Sequence, residues 1–137
     1  FQAEAVMPKP WTGIDPDANG LRLVVDGTSG AGGIDVTLPG GAGWKVNRTG
    51  TQWTYGDKTG AVGGITKVVV KDRSKTLSGL ARVTVQGKPA GLVLPPAAAT
   101  RATVLLGAAD ECASLVWNLP TGPKPRCAGD AAKLACR

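Results

Sequence analysis

Three thiols, a scatter of carboxylates and one serine set among lysines are the side chains of this 137-residue chain that could do covalent or acid–base chemistry. Histidine is absent, which removes the commonest general base and the commonest metal ligand together. Asp110-Glu111 is the one adjacent acidic pair, and neighbours on a strand point to opposite faces, so it is no ready carboxylate dyad. Ser74, with Lys75 beside it and Lys71 three residues back, is the serine–lysine arrangement that nucleophilic chemistry without histidine would need. The glycines of Gly27 to Gly33 and Gly60 to Gly64 match no phosphate-loop pattern and read as turns. Asn47-Arg48-Thr49 fits a glycosylation sequon. The sequence predicts no catalytic residue, no metal site and no cofactor.

Cys112, Cys127 and Cys136 all fall in the last 26 residues, with no CxxC pair among them. Three cysteines without histidine weigh against structural zinc. In an exported β domain they read as one disulfide and one leftover thiol. Pairing Cys112 with Cys127 would close a loop of about 15 residues and contribute roughly 3 kcal/mol in the chain-entropy model. Cys127–Cys136 and Cys112–Cys136 are the competing pairings. A reduced intracellular protein with three packed thiols is the alternative.

Aromatic residues make up 4% of the chain, so each has to be accounted for. Trp44, Trp53, Tyr55 and Trp117 are the candidates for a surface that stacks on sugar rings. The competing demand is the core, and Trp53 and Tyr55 are expected inside or half inside it. Trp11 is the candidate anchor for the N-terminal stretch. Charge is also uneven. Ten basic and two acidic residues lie between Lys45 and Arg101, within a net +6 for the whole chain. Such a segment suits nucleic acid, acidic polysaccharide or an anionic surface. The plainer reading makes Lys67, Lys71, Arg82 and Lys88 the solvent faces and protected edges of strands.

The elements that must hold these residues are strands. Leu21–Val25, Ile34–Leu38, Thr51–Tyr55, Ile65–Lys71 and Leu80–Gln86 are rich in β-branched residues or alternate apolar with polar side chains. Ile34, Val36 and Leu38 share one face; so do Ala81, Val83 and Val85. Trp44–Asn47, Leu92–Leu94, Ala102–Leu106, Ser114–Trp117 and Ala131–Cys136 are shorter predicted strands. Twenty glycines and ten prolines punctuate the chain. The spacing predicts an all-β fold, an antiparallel β-sandwich (alternatively a β-barrel) of about nine short strands. Residues 1–20 have no clean period and read as an extended N-terminal arm outside a single domain of residues 21–137. No apolar run is long enough for a membrane-spanning helix, and a start at Phe1 suits a processed product.

The run from Leu38 to Asp72, LPGGAGWKVNRTGTQWTYGDKTGAVGGITKVVVKD, then LARVTVQG, then LLGAADECASL with a later PRC, resembles an uncharacterised cysteine-containing β-rich module of secreted bacterial proteins. The likeness spans about Leu21 to Arg137. It implies export and a disulfide joining Cys112 to Cys127, which leaves Cys136 unpaired or intermolecular. It brings no activity with it. The expected function is therefore a non-enzymatic structural module, secreted or at the cell surface, that self-associates through its arm into a fibre, layer or matrix. The alternative is a carbohydrate-binding or adhesion module using surface aromatics. Expected partners are further copies of the chain and, second, a polysaccharide; nucleic acid is disfavoured.

Overall fold

The computed structural model describes residues 1–7, 14–27, 33–88, 100–106, 111–117, 127–129 and 134–136. Strands make up 61% of the fold, in antiparallel sheets that do not close into a barrel. The first sheet has five strands in the order β1(Gln2–Val6), β7(Leu80–Gly87), β6(Ile65–Asp72), β5(Gln52–Gly56), β4(Trp44–Val46). The second has four, β3(Gly33–Leu38), β2(Leu21–Gly27), β8(Thr100–Leu106), β9(Glu111–Trp117). A separate hairpin pairs β10(Cys127–Gly129) with β11(Leu134–Cys136).

The inner faces of the two sheets meet in one aliphatic core, so the sandwich expectation holds and the barrel alternative does not. Val68 and Val70 from β6, Leu38 from β3 and Leu106 from β8 are completely buried. The predicted faces are the buried ones: Ile34, Val36 and Leu38 in β3, and Ala81, Val83 and Val85 in β7. Burying a side chain of this size contributes about 1.5–3 kcal/mol, so a core short of aromatics still holds. At Leu92–Leu94 the predicted strand lies outside the described residues.

Two pieces of the predicted arm, Gln2–Val6 and Pro16–Asn19, take regular structure. Gln2–Val6 form an edge strand against β7, running from Gln2 opposite Thr84 to Val6 opposite Leu80. Main-chain pairing, which needs no particular side-chain pattern, orders a stretch whose QAEAV sequence gives only a weak period. Pro16–Asn19 form one helical turn, α1. Asp15 caps it by accepting from the Asp17 amide (3.1 Å), and Pro16 sits at the first position, where its missing N–H costs nothing.

Gly20 ends that turn at φ 78°, ψ −164°, a region open essentially to glycine alone. A Cβ there would overlap the Leu38 carbonyl oxygen, so α1 is pressed directly onto the end of β3. Two residues back along β3, the loop after β5 closes over the strand, with Gly63 against Val36.

The open faces carry ion pairs. Arg22 binds Asp35 through two hydrogen bonds (2.8 and 2.6 Å), Arg101 grips Asp26 directly opposite, and Arg82 grips Glu4 (2.6 Å). Hydrogen bonding to Arg101 and Arg22 holds the Asp26 and Asp35 carboxyls below the usual carboxylate range.

Two outcomes follow. Gly20→Ala is expected to destabilise the domain by about 2–4 kcal/mol in urea unfolding, through backbone strain and the clash with β3. Gly41→Ala also has a positive φ, but nothing lies within 4 Å of its added Cβ, and it should cost only about 1 kcal/mol. In acid, a carboxylate whose folded pKa is depressed contributes stability above its unfolded value of about 4, lost as pH falls through the folded value. Both pairs are exposed, so the decline should be shallow. Asp26→Asn should flatten it when unfolding midpoints are followed from pH 6 down to about pH 2; an unchanged slope would show that the Arg101 pair adds nothing.

Candidate functional site

Three of the four sequence-predicted aromatics do not form a surface. Trp44, Trp53 and Tyr55 are all buried. Trp44 stands opposite Tyr55 across β4 and β5, with ring centroids 5.5 Å apart and planes tilted by 55°. The Trp44 indole donates to the Pro39 carbonyl (2.9 Å) and the Trp53 indole to Asp15 Oδ1 (3.1 Å). Asp15 thus caps α1 and ties it to β5 with one carboxylate. Burial first, and then the Asp57 carboxylate, push the Tyr55 hydroxyl above its ordinary pKa. A sugar platform needs exposed flat rings, and these three have none to offer. The Trp117 side chain and all of Trp11 lie outside the described residues.

The cysteines pair differently from the expectation. Cys127 and Cys136 are bonded, with Cα atoms 4.0 Å apart, and Cys112 is free and exposed. The Cys112–Cys127 pairing and the unpaired Cys136 are therefore corrected together. The reason is register: β10 and β11 are antiparallel, and Cys127 and Cys136 face each other directly across that ladder. Cys112 instead sits on β9 opposite Leu105. Both bonded cysteines are buried in the main core. Their bond closes a short loop, about 2.5–3 kcal/mol of chain entropy, and staples the two strands of the hairpin to each other.

Among the described residues the acid–base candidates are not assembled either. Ser74 Oγ is buried and has no hydrogen-bond partner, so neither Lys71 nor Lys75 reaches it. Asp110 lies outside the described residues. No three metal-ligating side chains gather among the described residues.

What the strands do bring together is a polar, basic surface on the outer face of the five-stranded sheet. Register aligns Gln2, Thr84, Val69, Thr54 and Lys45 in one row across it, and Glu4, Arg82, Lys71 and Gln52 in the next. Lys67 and Gln86 extend it at one end. Between these rows lies a depression of about 190 Å³, lined by residues of β1, β6 and β7. Val69 and Thr84 line it together with Lys67, Lys71 and Arg82.

A β-bulge makes this face cationic. The β6–β7 register slips between Ile65 and Lys67. Without the extra residue, strict alternation would place Lys67 on the same side as Ile65, in the core. With it, Ile65, Val68 and Val70 are buried while Lys67 and Lys71 are exposed. The apolar spacing of three and then two in Ile65-Thr-Lys-Val68-Val-Val70 is the sequence mark of that bulge. The contributions of Gln2 and Glu4 carry no such mark, because β1 reaches the face only by long-range pairing.

The double role of Asp15 is open to test. Asp15→Ala is expected to cost about 1–2 kcal/mol in urea unfolding, through loss of the cap and of the indole's acceptor. In a Trp53→Phe background the same change should cost at least about 0.5 kcal/mol less, the signature of coupled partners. Equal costs in both backgrounds would make Asp15 a helix cap alone.

Comparison with protein-family models, with curated proteins and with solved structures found no match.

Proposed function

We propose that this domain is a non-enzymatic structural module of the cell exterior, which joins copies of itself through its first strand. The observation that carries the reading is how β1 is held. It pairs with β7 over five residues, yet none of Gln2–Val6 is buried. Its attachment is a ladder of main-chain hydrogen bonds, one ion pair from Glu4 to Arg82 and partial packing of Ala3, flanked by Phe1 bonded to Val85 and by the buried Met7. A β1 from a second copy would satisfy the β7 edge equally well, because every one of these contacts is reproduced in trans. Exchange that passes from copy to copy without closing on itself yields a filament or layer.

Export belongs to the same proposal. A disulfide between Cys127 and Cys136 is the kind of bond that oxidising compartments sustain. Among the described residues no helix is long and apolar enough to cross a membrane. The exposed Cys112 thiol offers a second, covalent link between assembled copies.

Glu4 and Arg82 face each other across β1 and β7, so cysteines at both positions report whose β1 occupies the edge. In a Cys112→Ser background, Glu4→Cys/Arg82→Cys is expected to give disulfide-linked dimers and higher species on non-reducing gels, increasing with protein concentration during oxidation. A product that stays a single-chain species at every concentration would overturn the proposed association.

A further inference from the structure

The outer face of the five-stranded sheet has two features that packing and solubility do not account for. Lys71 stands directly opposite Arg82 on adjacent, hydrogen-bonded strands. Like charges so placed are destabilising. Arg82 is relieved on its other side by Glu4, but Lys71 has no ion-pair partner among the described residues. The bulge then adds Lys67 to the same face, four positions along β6 and about 13 Å from Lys71. With Lys45 on the outer strand, four cations share this surface with a single carboxylate. Around the depression between them stand neutral hydrogen-bonding groups, the Gln2 and Gln86 amides and the Thr84 hydroxyl.

We infer that this face binds an acidic polysaccharide, one chain of sugars bearing repeated carboxylates, laid across β6 and β7. Charge complementarity selects a polyanion: Lys67 and Lys71 take carboxylates about 13 Å apart along the strand. The amides and the threonine hydroxyl suit the sugar hydroxyls between those carboxylates, where water is replaced by equivalent hydrogen bonds. Single-stranded nucleic acid would present the same charge, but its binders add aromatic rings on which bases stack. Trp44, Trp53 and Tyr55 are all turned into the core, and none stands on this face. The polymer is held by cations and amides, not by the ring platform that the aromatic residues suggested. This inference does not rest on exchange of β1, since it needs only a folded domain with β1 in place, from whichever copy.

The test is titration of the intact domain with polygalacturonate, followed calorimetrically at low ionic strength and again at about 200 mM salt, where contacts of this kind weaken steeply. Lysines held against an anionic surface contribute on the order of a factor of five each. Lys67→Gln/Lys71→Gln should therefore weaken binding by roughly twentyfold. Arg48→Gln/Lys75→Gln, which removes the same net charge from exposed turn positions, should change it less than about threefold. Both pairs of positions are exposed, and unchanged melting temperatures would confirm that each variant folds. Three outcomes would overturn the inference: no binding of polygalacturonate at low salt, equal weakening by the two double variants, or an oligodeoxythymidylate of equal charge binding as tightly as polygalacturonate.

Discussion

One extra residue in β6 fixes the character of both faces of the larger sheet. Side chains on a strand alternate with a period of two, so a bulge switches everything beyond it to the opposite side. At the slip between Ile65 and Lys67, that switch lets Ile65 remain in the core while Val68 and Val70 follow it there. The same switch turns Lys67 outward beside Lys71. Core and cationic surface are therefore set together, and neither can be shifted in register without damaging the other. A one-residue slip would carry Lys67 and Lys71 inward, at a desolvation cost comparable to a typical domain's stability margin. This couples a core strand of the sandwich to its cationic surface.

The same economy governs the aromatics. A core made almost wholly of Val, Leu, Ile and Ala leaves the ends of the sandwich hard to fill. Trp44, Trp53 and Tyr55 occupy one such end, where β4 and β5 approach α1. Their polar atoms are met by groups from outside the sheet, the Pro39 carbonyl and the Asp15 carboxylate. Buried indoles require such partners, and supplying them locks the α1 turn and the β3–β4 connection in place. Three rings that looked available for recognition are thereby committed to architecture.

Local signals were legible wherever strand neighbours in sequence are also neighbours in the sheet. Alternation in Ile34–Leu38 and Leu80–Gln86 gave the buried faces correctly, because the pleat imposes the same period on any half-buried strand. Leu21–Val25 and Ala102–Leu106 were legible too, although they pair with each other across a long stretch of chain. Asp57 is legible as turn chemistry, and its side chain accepts from the Thr59 and Ala61 amides. Exposed lysines at 67 and 71 were readable as a solvent face. Their alignment with Arg82 and Gln2 was not, since register across β1, β6 and β7 is a relation between distant segments.

The sequence by itself determined the class of fold, the spans of most strands and the sides they bury, because periodicity, β-branching and turn residues act within a few positions of one another. Tertiary structure alone decided three things. It placed residues 2–6 on the β7 edge, because a main-chain ladder accepts almost any side chains. It bonded Cys127 to Cys136 and left Cys112 exposed, because disulfide choice follows which Cα atoms the ladder brings together. And it gathered lysines, arginine and amides from three strands onto one surface, a juxtaposition that exists only once the strands have found their partners.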